Sequence, residues 1–175
     1  MKEVGIGKNK SIRINMTQQT YTTSYMAYTS VQEMPEHYQT LIEQAKIATN
    51  DSHAPYSNFK VGAAILLNNG TVIKGSNQEN ASYPIGFCAE RTALSAAASL
   101  ASYEKIKAIA ITAKSANNPV LKPAAPCGIC RQCIFEAENK HHQDIEVILT
   151  GESGEVFVFK SIKDLLPLHF DANFL

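Results

Sequence analysis

The chain has 175 residues, of which 45% are hydrophobic and 18% charged, values typical of one globular domain. Its 16 Lys and Arg residues balance 16 Asp and Glu residues, so no broad electrostatic field favours a polynucleotide or a membrane as partner. No apolar run approaches the ~18–20 residues of a membrane-spanning helix, and no secretory signal pattern is evident. We therefore expect a small-molecule ligand and a reducing, cytoplasmic compartment.

Residues 1–33 differ in composition from the remainder, being rich in Thr, Ser, Tyr, Gln and Asn and poor in branched aliphatic residues. We interpret them as an N-terminal extension, flexible or acting as an oligomer arm, that precedes the main domain at 34–175. An alternative gives the extension a specific structure. Thr20 to Val31 partly alternates aromatic residues with Thr or Ser, which suits an arm that pairs with the sheet edge of another subunit.

The main domain begins with an amphipathic helix after Pro35, because apolar residues recur at helical spacing from Tyr38 to Ala48. Further helices are predicted at 88–101 and 127–139, and a short one ends at Leu166. Strands are predicted at 61–67, 71–75, 106–112, 145–149 and 156–159.

This order predicts an α/β fold with three layers (α/β/α) around a mixed five-stranded sheet. The last two strands are separated only by residues 151–154, so a direct pairing between them must be antiparallel. By contrast, the helix at 127–139 allows a parallel crossover between the strands on either side of it.

Two short motifs carry the chemistry of the chain. Cys88 stands two residues before Glu90 at the start of one predicted helix, and Cys127 and Cys130 form a Cys-x-x-Cys pair behind Pro126 at the start of another. Residues i and i+3 of a first turn can face one point, and a helix N-terminus favours thiolates. Three thiolates beside a carboxylate suit a zinc ion with an open coordination position, a pattern typical of nucleobase deaminases.

A closed structural site with Cys133 as fourth ligand is the alternative, and helix geometry opposes it. Cys133 lies six residues after Cys127, about 9 Å farther along the axis at ~1.5 Å per residue. Sulfur atoms that share one zinc at ~2.3 Å lie only about 4 Å apart. We therefore predict that Cys133 is a buried helix residue.

Three thiolates over-neutralise a zinc dication and weaken it as a Lewis acid. Arg91 and the two helix dipoles are the candidates for offsetting that charge. A surface salt bridge is the other interpretation of Arg91.

Glu90 needs a special placement in order to act on the same ion as Cys88. Residues i and i+2 of a regular helix point apart, so Cys88 must lie at the N-cap for both side chains to face one point. Glu90 could then take a proton from a metal-activated water, protonate N3 of cytosine and carry a proton to the leaving ammonia.

Four motifs together resemble the small, homotetrameric cytidine deaminases over about residues 36–175. They are Tyr56-Ser57-Asn58-Phe59-Lys60-Val61-Gly62-Ala63-Ala64, Asn77-Gln78-Glu79-Asn80-Ala81-Ser82-Tyr83-Pro84, Cys88-Ala89-Glu90-Arg91-Thr92-Ala93 and Pro126-Cys127-Gly128-Ile129-Cys130-Arg131-Gln132. The resemblance implies one zinc per subunit on Cys88, Cys127 and Cys130, with Glu90 as proton shuttle.

The resemblance also assigns substrate contacts. Asn77 and Glu79 are expected to hold the ribose 3′-hydroxyl, Phe59 to pack on the substrate, and the backbone near Ala89 to read the pyrimidine edge. Phe170, in the sequence Leu166-Pro167-Leu168-His169-Phe170, is expected to stack on the base in a neighbouring subunit's site. The implied assembly is a homotetramer with shared active sites.

The implied reaction is hydrolysis of cytidine and 2′-deoxycytidine to uridine and 2′-deoxyuridine with release of ammonia, as in pyrimidine salvage. One rival is a deaminase of a modified cytosine nucleoside such as a blasticidin-type antibiotic, and Gln78, which replaces a usual aliphatic residue, bears on that preference. The presence of the ribose-binding Asn77 and Glu79 argues against it. A non-enzymatic zinc module is the other rival, but it should lack Glu90 or possess a fourth ligand.

Overall fold

The computed structural model describes residues 16–101 and 104–175, so the first 15 residues of the predicted extension lie outside the described part. These described residues form three α-helices, six β-strands and several short 3-10 helices. The helices are α1 (Glu36–Ala48), α2 (Ala89–Leu100) and α3 (Gly128–His141). The strands are β1 (Met26–Tyr28), β2 (Phe59–Leu67), β3 (Val72–Ser76), β4 (Ile106–Ser115), β5 (Glu146–Leu149) and β6 (Val156–Phe159). Within the described ranges no helix combines the length and apolarity needed to cross a membrane.

The strands form one mixed sheet in the order β1-β6-β5-β4-β2-β3. Strands β4 and β5 are parallel and are connected through α3, while every other neighbouring pair is antiparallel. The predicted mixed α/β/α architecture is confirmed, as is the antiparallel pairing of the last two strands. The predicted number of five strands is wrong, because the sheet has six.

The additional strand comes from the N-terminal extension. Met26 pairs with Val158 and Tyr28 with Val156, so β1 completes the edge of its own chain's sheet at β6. The ring of Tyr25 packs on those of Phe157 and Phe159, with centroids 4.7 and 5.1 Å apart. Apolar packing as well as three backbone pairs therefore holds this segment. The domain boundary at residue 33 stays a prediction.

The helices cover the two faces of the sheet, and the alternation of side chains along β4 shows why. Ala108 and Ala110 pack in the cluster that contains α1, whereas Ile109 and Ile111 pack in the cluster that contains α2 and α3. Small residues on one face let α1 approach closely, and branched residues fill the wider space on the other. Both clusters are built from buried apolar side chains and make up the core.

Two glycines set how deeply the helices sit on the sheet. A Cβ on Gly75 of β3 would lie 2.4 Å from the nitrogen of Ala93 and 2.5 Å from the carbonyl oxygen of Ala89. A Cβ on Gly62 of β2 would lie 2.0 Å from the carbonyl oxygen of Ala45. Any larger residue would push α2 or α1 off the sheet. The position of the first turn of α2 thus depends on the absence of a side chain at residue 75.

A buried carboxylate joins α3 to the C-terminal part of the chain. Glu138 is 2% exposed, and its Oε1 accepts hydrogen bonds from the backbone N–H groups of Ile145 (2.9 Å) and Ile162 (3.0 Å). Its Oε2 accepts from the Ser161 hydroxyl at 2.8 Å, and the Lys163 Nζ lies 3.8 Å away. The carboxylate therefore has partners for both oxygens, which offsets the cost of burying its charge.

Candidate metal centre and substrate pocket

Two helix N-termini converge on one cluster of cysteines. Cys88 is the N-cap of α2 and Cys127 the N-cap of α3, both with extended backbone, while Cys130 lies in the first turn of α3. The three sulfur atoms lie within 4.8 Å of one another, and those of Cys127 and Cys130 are 3.5 Å apart. The N-cap position of Cys88 satisfies the condition set by the spacing of Cys88 and Glu90.

The turn that carries Cys127 is anchored from within α3. Arg131 donates from Nε to the carbonyl of Pro126 at 2.9 Å and from Nη1 to the carbonyl of Leu165 at 2.8 Å. Its backbone N–H also closes the first helical turn on the carbonyl of Cys127. The guanidinium of Arg131 thus links Pro126 to Leu165 in the C-terminal segment, and this link orients the Cys-x-x-Cys pair.

Hydrogen bonds between the thiols of the cluster shift their pKa values. A hydrogen bond with the Cys130 thiol lowers the pKa of Cys88 to about 6, with a smaller contribution from the positive charge of Arg91. The same hydrogen bond, together with burial, raises the pKa of Cys130. Burial also raises the pKa of Glu90, which is only 4% exposed. Three thiolates this close together need a cation between them.

The donor set fits zinc. Sulfur ligands at this spacing match a tetrahedral zinc site, for which the chain provides three thiolates and leaves one position to a non-protein ligand. In the described residues no fourth cysteine, histidine or carboxylate joins the cluster. Cys133 lies outside it, as the sequence predicts, but this residue is half-buried in α3 and not fully buried.

A cavity of about 840 Å³ opens directly beside the cysteines. Its size lies in the range of small-molecule sites. Of the residues singled out from the sequence, those that line the cavity are Phe59, Asn77, Gln78, Glu79, Cys88, Ala89, Glu90 and Cys127.

Asn77 and Glu79 both hold the segment that carries Phe59. The Asn77 side chain donates to the carbonyl of Phe59 at 2.9 Å and accepts from the N–H of Val61 at 2.8 Å. The Glu79 carboxylate accepts from the N–H groups of Tyr56 (2.9 Å) and Ser57 (3.3 Å) and from the Ser57 hydroxyl. The hydroxyl contact, followed by the backbone contacts, lowers the pKa of Glu79, so this carboxylate remains an ionised acceptor at the cavity wall.

Of the singled-out residues, Cys130, Cys133, Arg91 and Phe170 do not line the cavity of their own chain. The guanidinium of Arg91 lies over the ring of Phe87, 4.3 Å from its centroid, and within the described residues it forms no ion pair. Phe170 is 57% exposed and stacks on Phe174 with ring centroids 5.5 Å apart. Gln78 donates to the carbonyl of Asp51 and to the Ser76 hydroxyl, so its amide braces the chain behind the wall.

One wall of the cavity was not predicted from the sequence. It is built from the loop between β4 and α3, where the sequence predicts neither a helix nor a strand. Its position offered a signal, because a loop that ends at the Pro-Cys turn has to pass the metal site. The lining residues in this loop are Val120, Lys122, Pro123, Ala124 and Ala125, and Tyr56, Ser57 and Tyr83 also line the cavity.

Comparison with known proteins defines the class of this domain. A family model described as the cytidine and deoxycytidylate deaminase zinc-binding region matches residues 35–143. The chain is 40% identical over 135 residues to the cytidine deaminase of Halalkalibacterium halodurans, covering 77% of this chain and 95% of that protein.

Solved structures agree with this class. The cytidine deaminase of Burkholderia pseudomallei superposes with a TM-score of 0.66 at 46% identity, covering 78% of this chain and all of that one (100%). That of Mycobacterium tuberculosis gives 0.60 at 28% identity, covering 77% and 97%. The chain belongs to the cytidine and deoxycytidylate deaminase family. Its cofactor is zinc, one ion per subunit, since the family domain binds zinc and the cysteine cluster fits one ion.

Replacing Cys130 or Cys133 by serine distinguishes a three-cysteine site from a closed four-cysteine site. We expect Cys130→Ser to hold far less than one zinc per chain after dialysis against a weak chelator, because it removes a buried thiolate ligand. Cys133→Ser should keep the zinc content of the unmodified protein, as its sulfur lies outside the cluster. Atomic absorption gives both values. Equal loss of zinc from the two variants would contradict the three-cysteine assignment.

Proposed function

We propose that this protein catalyses the hydrolytic deamination of cytidine and 2′-deoxycytidine to uridine and 2′-deoxyuridine, with release of ammonia. The observation that carries the proposal is the buried carboxylate of Glu90, which lines the cavity beside the three-cysteine cluster. The similar proteins described above are named as cytidine deaminases. Nothing in these similarities favours the alternative of an antibiotic-type nucleoside.

Glu90 is the proton carrier in this proposal. Zinc, when bound by Cys88, Cys127 and Cys130, lowers the pKa of a water so that water can serve as a nucleophile at neutral pH. The Glu90 carboxylate accepts the proton that this water loses on attacking C4 of cytosine and delivers it to N3. Glu90 then takes the proton of the new C4 hydroxyl and passes it to the amino nitrogen, so that the C4=O double bond forms as the C4–N bond breaks and ammonia leaves.

The rest of the cavity would orient the nucleoside. Glu79 has lone pairs beyond those used by Tyr56 and Ser57, so it can also accept a ribose hydroxyl. Asn77 holds the backbone next to Phe59, which places that ring against the sugar or base. The backbone at Ala89, in the first turn of α2, supplies polar groups for the pyrimidine edge. A carboxylate and an amide that bind the ribose would favour a nucleoside over a free base as substrate.

We place this activity in pyrimidine salvage and in the cytoplasm. Both assignments rest on chemistry: the substrate is a nucleoside, and three thiolates that hold zinc need a reducing environment to escape oxidation.

Turnover of cytidine by the zinc-loaded protein, followed as ammonia release, tests the proposed function. We expect rapid conversion of cytidine and little conversion of free cytosine, because cytosine lacks the ribose that Asn77 and Glu79 would grip. Glu90→Gln should keep its zinc yet lose activity by about 10²-fold or more, since an amide cannot carry the proton. Full turnover by this variant would remove Glu90 from the mechanism, and a zinc-loaded protein inactive on cytidine would refute the proposed reaction.

We further propose that Arg91 tunes the metal site. Its charge contributes to the low pKa of Cys88, and its guanidinium is held in place over the ring of Phe87. The positive charge would offset part of the excess negative charge of three thiolates. Arg91→Ala should therefore reduce zinc affinity or turnover, whereas Arg91→Lys keeps the charge and should be affected less. Unchanged zinc binding and turnover in Arg91→Ala would eliminate this role.

We also propose a homotetramer in which Phe170 stacks on the base in a neighbouring subunit's site. The exposed ring of Phe170 does not line the cavity of its own chain, which supports a role in another one. Co-expression of Phe170→Ala with Glu90→Gln tests this arrangement. With sites shared between subunits, about one quarter of the sites in random mixtures contain both native side chains, and activity should exceed that of either variant alone. If a mixture were no more active than the Phe170→Ala protein that it contains, the sites would not be shared in this way.

A further inference from the structure

The unpredicted wall of the cavity is tied to the chain that follows β5. We refer to residues 116–125, between β4 and α3, as the wall loop. The Oε1 atom of Glu152 accepts hydrogen bonds from the N–H groups of Val120 (2.9 Å) and of Ser115 (3.2 Å), the residue just before the loop. The backbone N–H of Glu152 donates to the carbonyl of Val120 at 2.7 Å. The N–H of Ala124 donates to the carbonyl of Thr150 at 3.2 Å.

Gly151, the residue before Glu152, lies so close to the wall loop that the loop cannot move toward it. A Cβ on Gly151 would lie 2.2 Å from the carbonyl oxygen of Val120 and 2.9 Å from that of Lys122. The carbonyl of Gly151 itself accepts from the Thr112 hydroxyl at 3.0 Å. Gly151 is therefore fixed to the end of β4, and the wall loop packs directly on it.

The wall loop and the metal-binding turn have separate anchors. Arg131 holds Pro126 through its Nε atom, whereas Glu152 holds the chain at Ser115 and Val120. A disturbance at Glu152 should then reach the residues that line the cavity before it reaches Cys127. Because the anchors are separate, we expect that loss of the Glu152 contact alters substrate binding and leaves the bound metal in place.

We propose that Glu152 is a positioning residue for the substrate cavity, its carboxylate holding the wall loop so that residues 120–125 form one wall of that cavity. The inference rests on the proposed function, because it gives Glu152 a role in binding the nucleoside at the same site. Glu152 does not line the cavity and acts only through the loop. The Val120 N–H, followed by that of Ser115, lowers the pKa of Glu152, so its carboxylate accepts both bonds as an anion.

Three variants isolate this contact in the full-length, zinc-loaded protein. Glu152→Ala removes the acceptor, while Glu152→Gln keeps an oxygen that can accept from both N–H groups. Glu155→Ala is the matched control, because Glu155 is an exposed glutamate in the same turn and is not among the residues that bind the loop. For each variant we would measure kcat and KM for cytidine, zinc content and thermal midpoint. Hydrogen–deuterium exchange of the peptide that contains Ser115 and Val120 reports on the loop without any substrate.

We expect Glu152→Ala to raise KM for cytidine about tenfold, because two hydrogen bonds to a charged acceptor are lost, with kcat and zinc content nearly unchanged. Exchange of the loop amides should accelerate in this variant, and Glu152→Gln should restore both values. Glu155→Ala should match the unmodified protein throughout. A KM and loop exchange in Glu152→Ala equal to those of the control would overturn the proposal, as would loss of zinc with KM unchanged. If the unmodified protein did not deaminate cytidine, the proposed function would fail, and loop exchange would still decide whether Glu152 holds the loop.

Discussion

The close contact between α2 and β3 is the constraint on which the metal centre depends. The backbone of α2 rests directly on Gly75, where a Cβ would lie 2.4 Å from the nitrogen of Ala93. This contact fixes how far the first turn of α2 projects from the sheet, and that turn begins at Cys88 and contains Glu90. The alanines of α2 thus serve as spacers as well as good helix formers, because their small side chains permit the approach. A shift of the helix would move a ligand and the adjacent carboxylate together.

The chain as a whole has no net charge, so the charges that act on the metal site come from groups close to it. The two helix N-termini present positive ends of their dipoles to the cysteines, and Arg91 adds a full positive charge nearby. Burial raises the pKa of Glu90, and the hydrogen bond with Cys88, followed by burial, raises that of Cys130. The three thiolates, partly offset by these positive groups, favour a bound dication, and the donors that the chain provides suit zinc.

Sequence features of short range were sufficient to predict most of this arrangement. The helices start near the predicted residues because cap positions and apolar periodicity are local properties. The spacing of the cysteines was enough to predict which of them lie together. Strand β1 was missed as part of its own sheet because three residues with partial alternation do not identify a partner strand. The roles of Glu138 and Glu152 depend on N–H groups 7 to 37 residues away in sequence, and no local pattern encodes such contacts.

Different interactions hold the different parts of the cavity. The part that carries the cysteines and Glu90 depends on close packing, whereas carboxylates hold the two walls through hydrogen bonds. The packed part rests on glycine and alanine contacts that allow no adjustment without moving a helix or strand. In one wall Glu79 accepts from the N–H groups of Tyr56 and Ser57, and in the other Glu152 accepts from those of Ser115 and Val120. Hydrogen bonds of this kind, near solvent, are weaker and more easily exchanged than core packing. The cysteine cluster and Glu90 therefore lie on tightly packed elements, whereas both walls also depend on hydrogen bonds to carboxylates.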